Sequence, residues 1–415
     1  MKIFYLCRIF NGLVSSIKSE KWQPTGVPTI YKMIEKLDKS DCEVKFFFSD
    51  WLSNNGRTNF SENFNKKIFI KGLKSEIRLI SSNFFFIKVI KTKMLRILVE
   101  IKKQFLIFFF LFKFNPDIVY VDRANILFGA ICSRFLKKKV VLRIMGIYPS
   151  MWEIVEKKNF FNFFYRWCFR SNFSLVICTE DGTGGDQWMK KILRNNVKRI
   201  SILNGVDYDY PKNQAMILPN NFNKNKINIL FKGRLEKIKG CYNFINSFRY
   251  LNSEEKTKIN IILIGSGTEE KGIIQLVKKL DLESFFFHFK NIPHRKIFLY
   301  QNISDIYVAL NQAGNLSNSN LECFSTGLCC IIPTARQKHF WDVNIKKYFN
   351  NNELIRIPWK NQERELSVVL KKLIKNKSKI KFYSDNVLKK SEKVLNSWDY
   401  RTRKEFKLLK GIYDN

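Results

Sequence analysis

The chain has 415 residues, with 73 Lys+Arg against 36 Asp+Glu, for a formal net charge of +37. That length and an apolar share of 45% exclude a peptide, a disulfide miniprotein and a disordered tail, and predict two domains with separate cores. The charge therefore sits on a folded surface, where it favours anionic partners: phospholipid, nucleic acid or nucleotide phosphates.

Lys outnumbers Arg, and Phe, Ile and Asn abound, as AT-rich codons produce, so part of the charge is background. Its placement is more specific: residues 51–150 hold 19 Lys+Arg against 5 Asp+Glu. The nine cysteines are odd in number, scattered and without a CxxC pair, which predicts reduced core thiols and a cytoplasmic chain. The apolar N-terminal run is broken by Arg8 and Asn11 and meets no small-residue cleavage site, so it reads as a first buried strand. Gln104–Phe112 falls well short of the roughly 20 apolar residues that span a bilayer.

Short apolar runs alternate with helical patterns, the signature of parallel βαβ units. In the first half the expected strands are 2–7, 43–48, 67–71, 117–121, 139–144, 174–178 and 199–203. The Asn-, Pro- and Asp-rich stretch 208–225 lacks an apolar period and reads as the approach to a second domain. A second series follows at 227–231, 259–264, 285–289, 305–310, 328–332 and 354–357, giving another open parallel sheet, with a final helix over 397–413. Such sheets bind ligands at the carboxyl ends of their strands, and two facing domains would place a site in the cleft.

Two helices of the first domain are unusually apolar. Residues 94–112 lose their polar stripe beyond Gln104, and 157–170 set Phe160, Phe161, Phe163, Phe164 and Trp167 against a stripe of Asn159, Asn162, Arg166 and Arg170. Either these helices face the core, or the aromatics insert into a bilayer surface with the cations on lipid phosphates.

The most specific segment is Ile229–Gly240, ILFKGRLEKIKG. A buried strand ends at Gly233, Arg234 follows and Lys239 stands five residues on, a cation pair suited to a diphosphate. The alternative is two surface charges among 73. The uncharged loop 311–320 offers amides and hydroxyls for sugar or phosphate, and Glu322 beyond it is suited to a ribose diol. Against that, Ser319-Asn320-Leu321-Glu322 fits a capping box, in which Glu322 serves only the helix. Gly265-Ser266-Gly267 is compatible with a close nucleotide turn, and His288 and His294 with a base contact, although both patterns are more often structural. There is no metal-spaced His/Cys/Asp/Glu cluster, Ser-His-Asp pattern or Walker loop, so a site without metal or bound cofactor is expected.

Together these residues resemble the retaining GT-B glycosyltransferases, family 4 in particular (glycosyl transferases group 1). Asn204-Gly205-Val206-Asp207 is similar to the family's interdomain element. Gly233-Arg234 with Lys239-Gly240 is similar to its diphosphate motif, Gly265-Ser266-Gly267 to its Gly-rich turn, and Ser397-Trp398 opens a helix like its returning terminal helix. Leu321-Glu322 and Gly327 correspond to the end of its Glu, seven residues, Glu signature, whose first Glu is replaced by Gly314.

The resemblance implies an α/β GT-B fold of two Rossmann-like domains facing a cleft: an acceptor domain at 1–205, a nucleotide-sugar domain at 206–385, and a C-terminal helix at 386–415 packing back on the first. It implies transfer of a hexosyl unit from a UDP- or GDP-sugar to an acceptor hydroxyl with retention. The acceptor expected is a lipid-linked glycan of bacterial surface polysaccharide (O-antigen, capsule or lipopolysaccharide), met at an anionic membrane surface on the inner face of the cytoplasmic membrane. Arg234 and Lys239 would be catalytic. Gly233, Gly265, Gly267, Asn315, Ser317, Asn318, Ser319, Asn320, Leu321 and Glu322 would hold the donor. Asn11, Gly12 and Gly146 would lie on the acceptor side, although Arg8-Ile9-Phe10-Asn11-Gly12 is no clean Gly-Gly element and Met145-Gly146 stands where the family often has His-Gly. The alternatives are an epimerase or inactive scaffold on the same fold, kept open by Gly314, and a non-enzymatic polyanion or membrane binder. Nucleic acid is not expected, because no zinc-finger, RRM or helix-turn-helix pattern occurs.

Overall fold

The computed structural model describes residues 1–50, 65–81, 93–207, 218–290 and 292–414. Parts of the cationic window (51–64 and 82–92) and of the approach to the second domain (208–217) thus lie outside the described residues. The chain forms two compact units: Met1–Thr179 with Asp186–Ile202 and Asp399–Asn415, and Glu180–Gly185 with Leu203–Trp398.

The first unit is built on a sheet of β1 (Lys2–Arg8), β2 (Glu43–Ser49), β3 (Asn65–Ile68), β4 (Ile77–Ile80), β5 (Ile118–Asp122), β6 (Lys139–Ile144), β7 (Leu175–Glu180) and β8 (Arg199–Leu203). Its order is β3-β4-β2-β1-β5-β6-β7-β8. β1 and β5 lie side by side and parallel, and β2, β4, β6 and β7 continue that parallel pairing. Helices α1 (Asn11–Lys18), α2 (Pro28–Asp38), α3 (Lys93–Phe114), α4 (Ile126–Arg134), α5 (Pro149–Glu156), α6 (Phe160–Phe169) and α7 (Gly185–Ile192) follow the strands. The run Ile3–Cys7 is buried along its whole length, which is why it reads as an unbroken apolar segment, and Val140–Ile144 is equally buried although it carries Arg143.

In the second unit all pairs are parallel, in the order β11-β10-β9-β12-β13-β14. The strands are β9 (Ile227–Lys232), β10 (Ile259–Ile264), β11 (Phe286–Phe289), β12 (Ile306–Val308), β13 (Cys329–Pro333) and β14 (Leu354–Ile357). Its helices are α8 (Cys241–Ser247), α9 (Ser253–Thr257), α10 (Glu270–Lys279), α11 (His294–Asn302), α12 (Asn318–Ser325), α13 (Gln362–Lys375) and α14 (Lys377–Val394), and α15 (Trp398–Asp414) ends the chain. Numbered within the unit, this is the doubly wound order 3-2-1-4-5-6, whose switch point lies between β9 and β12.

Three expectations shift. The strand expected at 67–71 is β3 at Asn65–Ile68, which runs antiparallel to β4, and β4 itself is a four-residue strand that the apolar pattern does not announce. Glu180–Gly185 leaves β7 but belongs to the second unit. The C-terminal segment 386–415 is not one helix: α14 packs on α12 and β13 in the second unit, and the change of unit falls between Trp398 and Asp399.

Helix α6 does not face the core. Phe160 is 80% exposed and Phe161 74%, with Phe163, Phe164 and Tyr165 also out, while Cys168 and Phe169 anchor its end. Helix α3 is split: Ile107 and Leu111 are buried, whereas Phe105, Phe109 and Phe112 stand exposed at i, i+4 and i+7. Among the described residues no helix is long and apolar enough to cross a membrane.

Candidate functional site

Beside the switch point of the second unit the turns after β9 and β10 converge. The Gly233 amide bonds to the Ile264 carbonyl at 3.0 Å, and the Gly265 amide to that of Phe289 at 3.0 Å, so the turns after β9 and β10 extend the sheet ladder. Gly265 has φ +133°, and a Cβ there would lie 2.0 Å from the Gly233 oxygen, so no side chain fits. One residue pair further on, the Leu235 amide bonds to Ser266 at 2.9 Å, and a Cβ on Gly267 would meet the Leu235 oxygen at 2.3 Å. The structure therefore brings Gly233, Gly265 and Gly267 into one backbone-to-backbone contact.

Arg234 projects from this contact with its side chain 70% exposed, paired with Glu236 at 2.6 Å. Such an exposed pair contributes little to stability and exchanges readily with another anion. Lys239 is half-buried in the turn ahead of α8. Burial lowers its pKa, the Arg234 charge lowers it further, and Glu236 and Asp181 act in the opposite sense. The two cations feel each other's field, so a polyanion placed between them relieves a repulsion.

Glu322, on the second turn of α12, is held from two sides. Its Oε2 accepts from Lys232 Nζ at 2.6 Å, at the end of β9, and its Oε1 lies 2.9 Å from His294 Nε2, at the start of α11. Burial alone would push this carboxyl up, but the Lys232 ammonium and the His294 imidazole outweigh it and hold the pKa down at about 2. His294 is raised in turn, chiefly by its hydrogen bond to Glu322, and its side chain stays 51% exposed. The capping-box reading of Glu322 is overturned. Helix α12 begins at Asn318 with Ser317 as N-cap, so Glu322 lies beyond the first turn and its oxygens serve Lys232 and His294.

The loop before α12 divides into an outer and an inner part. Ser317, Asn318 and Ser319 are partly exposed at the helix start, where the first amides lack intrahelical acceptors, and Asn318 Oδ1 accepts from Asn204 Nδ2 at 2.6 Å. Asn315, Asn320 and Leu321 are buried and turned inward. Asn315 donates its amide to Asp342 Oδ1 at 2.6 Å and its Nδ2 to Oδ2 at 2.7 Å. Asn320 accepts from Tyr307 and Ser317 and donates to the Asn315 carbonyl. Leu321 packs in the apolar cluster with Leu316 and Phe324. The Asn315 side chain, expected to hold sugar or phosphate, is thus turned inward onto Asp342 and fixes the loop.

Gly314 has a structural reason. Its φ is +78°, and a Cβ would meet the Asp181 carbonyl at 2.6 Å and Thr183 Cγ2 at 2.7 Å. The segment after β7 fills the space a side chain would need. Asp342, which holds Asn315, donates its amide to the Gly182 carbonyl at 2.7 Å; burial raises its carboxyl to about 7, with Asp181 adding to the rise.

In the first unit the switch point lies between β1 and β5, where the Arg8 amide donates to Asp122 Oδ2 at 3.0 Å and Ser49 Oγ to Asn125 Oδ1 at 3.0 Å. Gly12 sits in the first turn of α1, with the Thr25 carbonyl against it, and Gly146 follows β6 with φ +146°. The Asn11 side chain lies outside the described residues. Sequence reasoning missed Lys232, visible only as a charge closing the run INILF, and undervalued His294; Asp181 and Asp342 carried no local signal.

Residues 213–338 match the family described as Glycosyl transferases group 1. Over 166 residues the chain is 30% identical to an uncharacterized glycosyltransferase of Methanocaldococcus jannaschii, a match covering 39% of this chain and 40% of that protein. Three solved structures resemble the whole chain. The sucrose-phosphate synthase of Thermosynechococcus elongatus has a TM-score of 0.71 at 12% identity, covering 100% of both chains. Anabaena HepE in complex with UDP-glucose has 0.66 at 14%, covering 99% of this chain and 100% of that one. The lipopolysaccharide outer core galactosyltransferase WaaB has 0.59 at 13%, with the same coverage. At such identities the likeness is one of fold. The two sheets are those of a GT-B protein, and the second unit carries a glycosyl transferases group 1 domain.

Proposed function

We propose that this chain transfers a hexosyl unit from a UDP- or GDP-linked donor to an acceptor hydroxyl with retention of anomeric configuration. The observation that carries the reading is the turn Gly233–Gly240: two mutually repelling cations stand at the switch point of a doubly wound sheet, within the residues that match the family. Breaking an anomeric bond leaves a diphosphate whose charge develops in the transition state, and Arg234 and Lys239 are placed to stabilise it. Glu322, kept ionised by Lys232 and His294, would accept hydrogen bonds from ribose hydroxyls. HepE binds UDP-glucose on the same fold, which supports a nucleotide-sugar donor here. The test is Arg234→Ala, expected to lower turnover of a nucleotide sugar about 100- to 1,000-fold without changing the melting temperature; unaltered turnover would sink the assignment.

The acceptor in this reading is a lipid-linked glycan of bacterial surface polysaccharide, reached from the inner face of the cytoplasmic membrane. Its support is the exposed row Phe160, Phe161 and Phe163 on α6, beside Lys157 and Lys158, in a chain of net charge +37. Aromatic side chains in the interface with lysines on lipid phosphates are the arrangement of a peripheral binder. Co-sedimentation with anionic liposomes, weakened by salt and by replacing the three Phe with Ser, is the expected outcome; binding indifferent to lipid charge would contradict it.

A further inference from the structure

The segment Glu180–Gly185 has no place in the assignment above, yet it is part of the second unit and is packed into its site loop. Gly182 and Gly314 lie against each other: a Cβ on Gly182 would meet Asp342 Oδ1 at 2.2 Å, the Asn315 amide at 2.9 Å and Gly314 Cα at 3.1 Å. The Leu316 amide bonds to the Asp181 carbonyl at 3.1 Å, which ties position 181 to the loop leading into α12. Thus the space in front of Gly314 belongs to Asp181, a residue 133 positions earlier in the chain.

The Asp181 side chain is held but not used up. Its Oδ1 accepts from the Thr183 amide at 3.1 Å and from the Thr183 hydroxyl, a turn that fixes its rotamer. Among the described residues nothing donates to Oδ2, and the residue is only half-buried. Burial raises its carboxyl to about 6, with the Thr183 bonds and Lys239 acting against the rise, so its charge and that of Lys239 interact. A pre-oriented carboxylate with a free oxygen, its charge coupled to that of the lysine assigned to the diphosphate and its backbone tied to the loop leading into α12, is available to whatever is attached to that diphosphate.

We propose that Asp181 is a specificity-determining residue of this site, its free carboxylate oxygen accepting hydrogen bonds from hydroxyls of the sugar carried by the nucleotide, in the space that the glycine at 314 leaves to it. The inference rests on the nucleotide-sugar reading and deepens it. A carboxylate accepts from a vicinal diol without donating, so it selects a polyhydroxylated sugar and gives nothing to the bare nucleoside diphosphate. Arg234 and Lys239 bind the part that donor and diphosphate share; Asp181 reads the part that distinguishes them.

The test is calorimetry with the full chain and two probes: whichever UDP- or GDP-hexose gives the largest thermal shift with the wild-type chain, and its own sugar-free diphosphate. Asp181→Asn, close in shape, and Asp181→Ser, smaller, are compared with wild type. The expected result is an affinity for the nucleotide sugar about 10- to 100-fold weaker in both variants, with that for the diphosphate unchanged. Equal losses for both probes would make Asp181 a support of the Lys239 turn, and no loss for either would remove it from the site; each overturns the proposal. If no UDP or GDP compound binds the wild-type chain, the nucleotide-sugar reading fails and the proposal with it, an outcome distinct from selective loss.

Discussion

Each unit buries a carboxylate against cations, and the two clusters behave differently. In the first, Glu405 of α15 receives the Tyr120 hydroxyl at 2.5 Å and Arg401 Nη1 at 2.6 Å, with Arg143 Nε 3.7 Å away. Burial works against its charge, yet Arg401 and Arg143 hold its pKa below the ordinary range, and every member is sealed from solvent. In the second, Glu322 meets Lys232 and His294, but the imidazole is half open and the cluster stands at the carboxyl edge of the sheet. Similar chemistry thus serves two ends. A closed cluster fastens the last helix to its sheet, whereas in the proposed function the open one presents a pre-ionised carboxylate to the nucleotide.

The sharpest way to break this comparison is to remove each carboxylate. Glu405→Ala leaves Arg143 and Arg401 buried without a counter-charge, and should cost about 3–5 kcal/mol in denaturant unfolding with nucleotide affinity unchanged in the folded fraction. Glu322→Ala should weaken nucleoside diphosphate binding by about 1.5–3 kcal/mol in calorimetry while costing less stability than Glu405→Ala. The reverse ranking in stability would show that the open cluster is the structural one. Gly314→Ala comes next. It puts a Cβ at positive φ into the Asp181 turn, and a loss of about 1–3 kcal/mol in unfolding free energy is expected.

The smallest effect is on pH. Asp342, raised to about 7, and Asp181, raised to about 6, hold protons in the folded state above the unfolded carboxylate value of about 3.9, so stability falls as pH rises through that window. His294, also raised, contributes stability that is full below its unfolded value of about 6.5 and lost as pH climbs through its folded one. Glu322, held at about 2, contributes stability present above about pH 4.3 and lost only as pH falls through its folded value, so it does not vary from pH 5 to 8. Melting temperature should therefore decline from pH 5 to 8, and His294→Ala should flatten the upper part of the decline.

Much of the fold was legible because strands covered on both faces are largely apolar: Ile261–Ile264 is buried at every position and reads so in the sequence. β4 was not, since four residues with a half-exposed Arg78 carry too little period. In the site, Gly265 and Gly267 were legible because the backbone contact there leaves no room for a side chain. Glu322 was ambiguous because a capping box depends on where the helix begins, and α12 begins one residue earlier than Ser319. The Asp181 turn was invisible: its meeting with Gly314 is a long-range contact, and in the sequence Gly314 shows only as a missing side chain.

The most direct measurement is a thermal-shift panel of UDP- and GDP-sugars on the wild-type chain and on Arg234→Ala. At least one nucleotide sugar should raise the wild-type melting temperature in a concentration-dependent way, and that shift should be lost in the variant with its ligand-free melting temperature unchanged. A wild-type chain indifferent to every nucleotide sugar, or a variant that responds equally, would contradict the account.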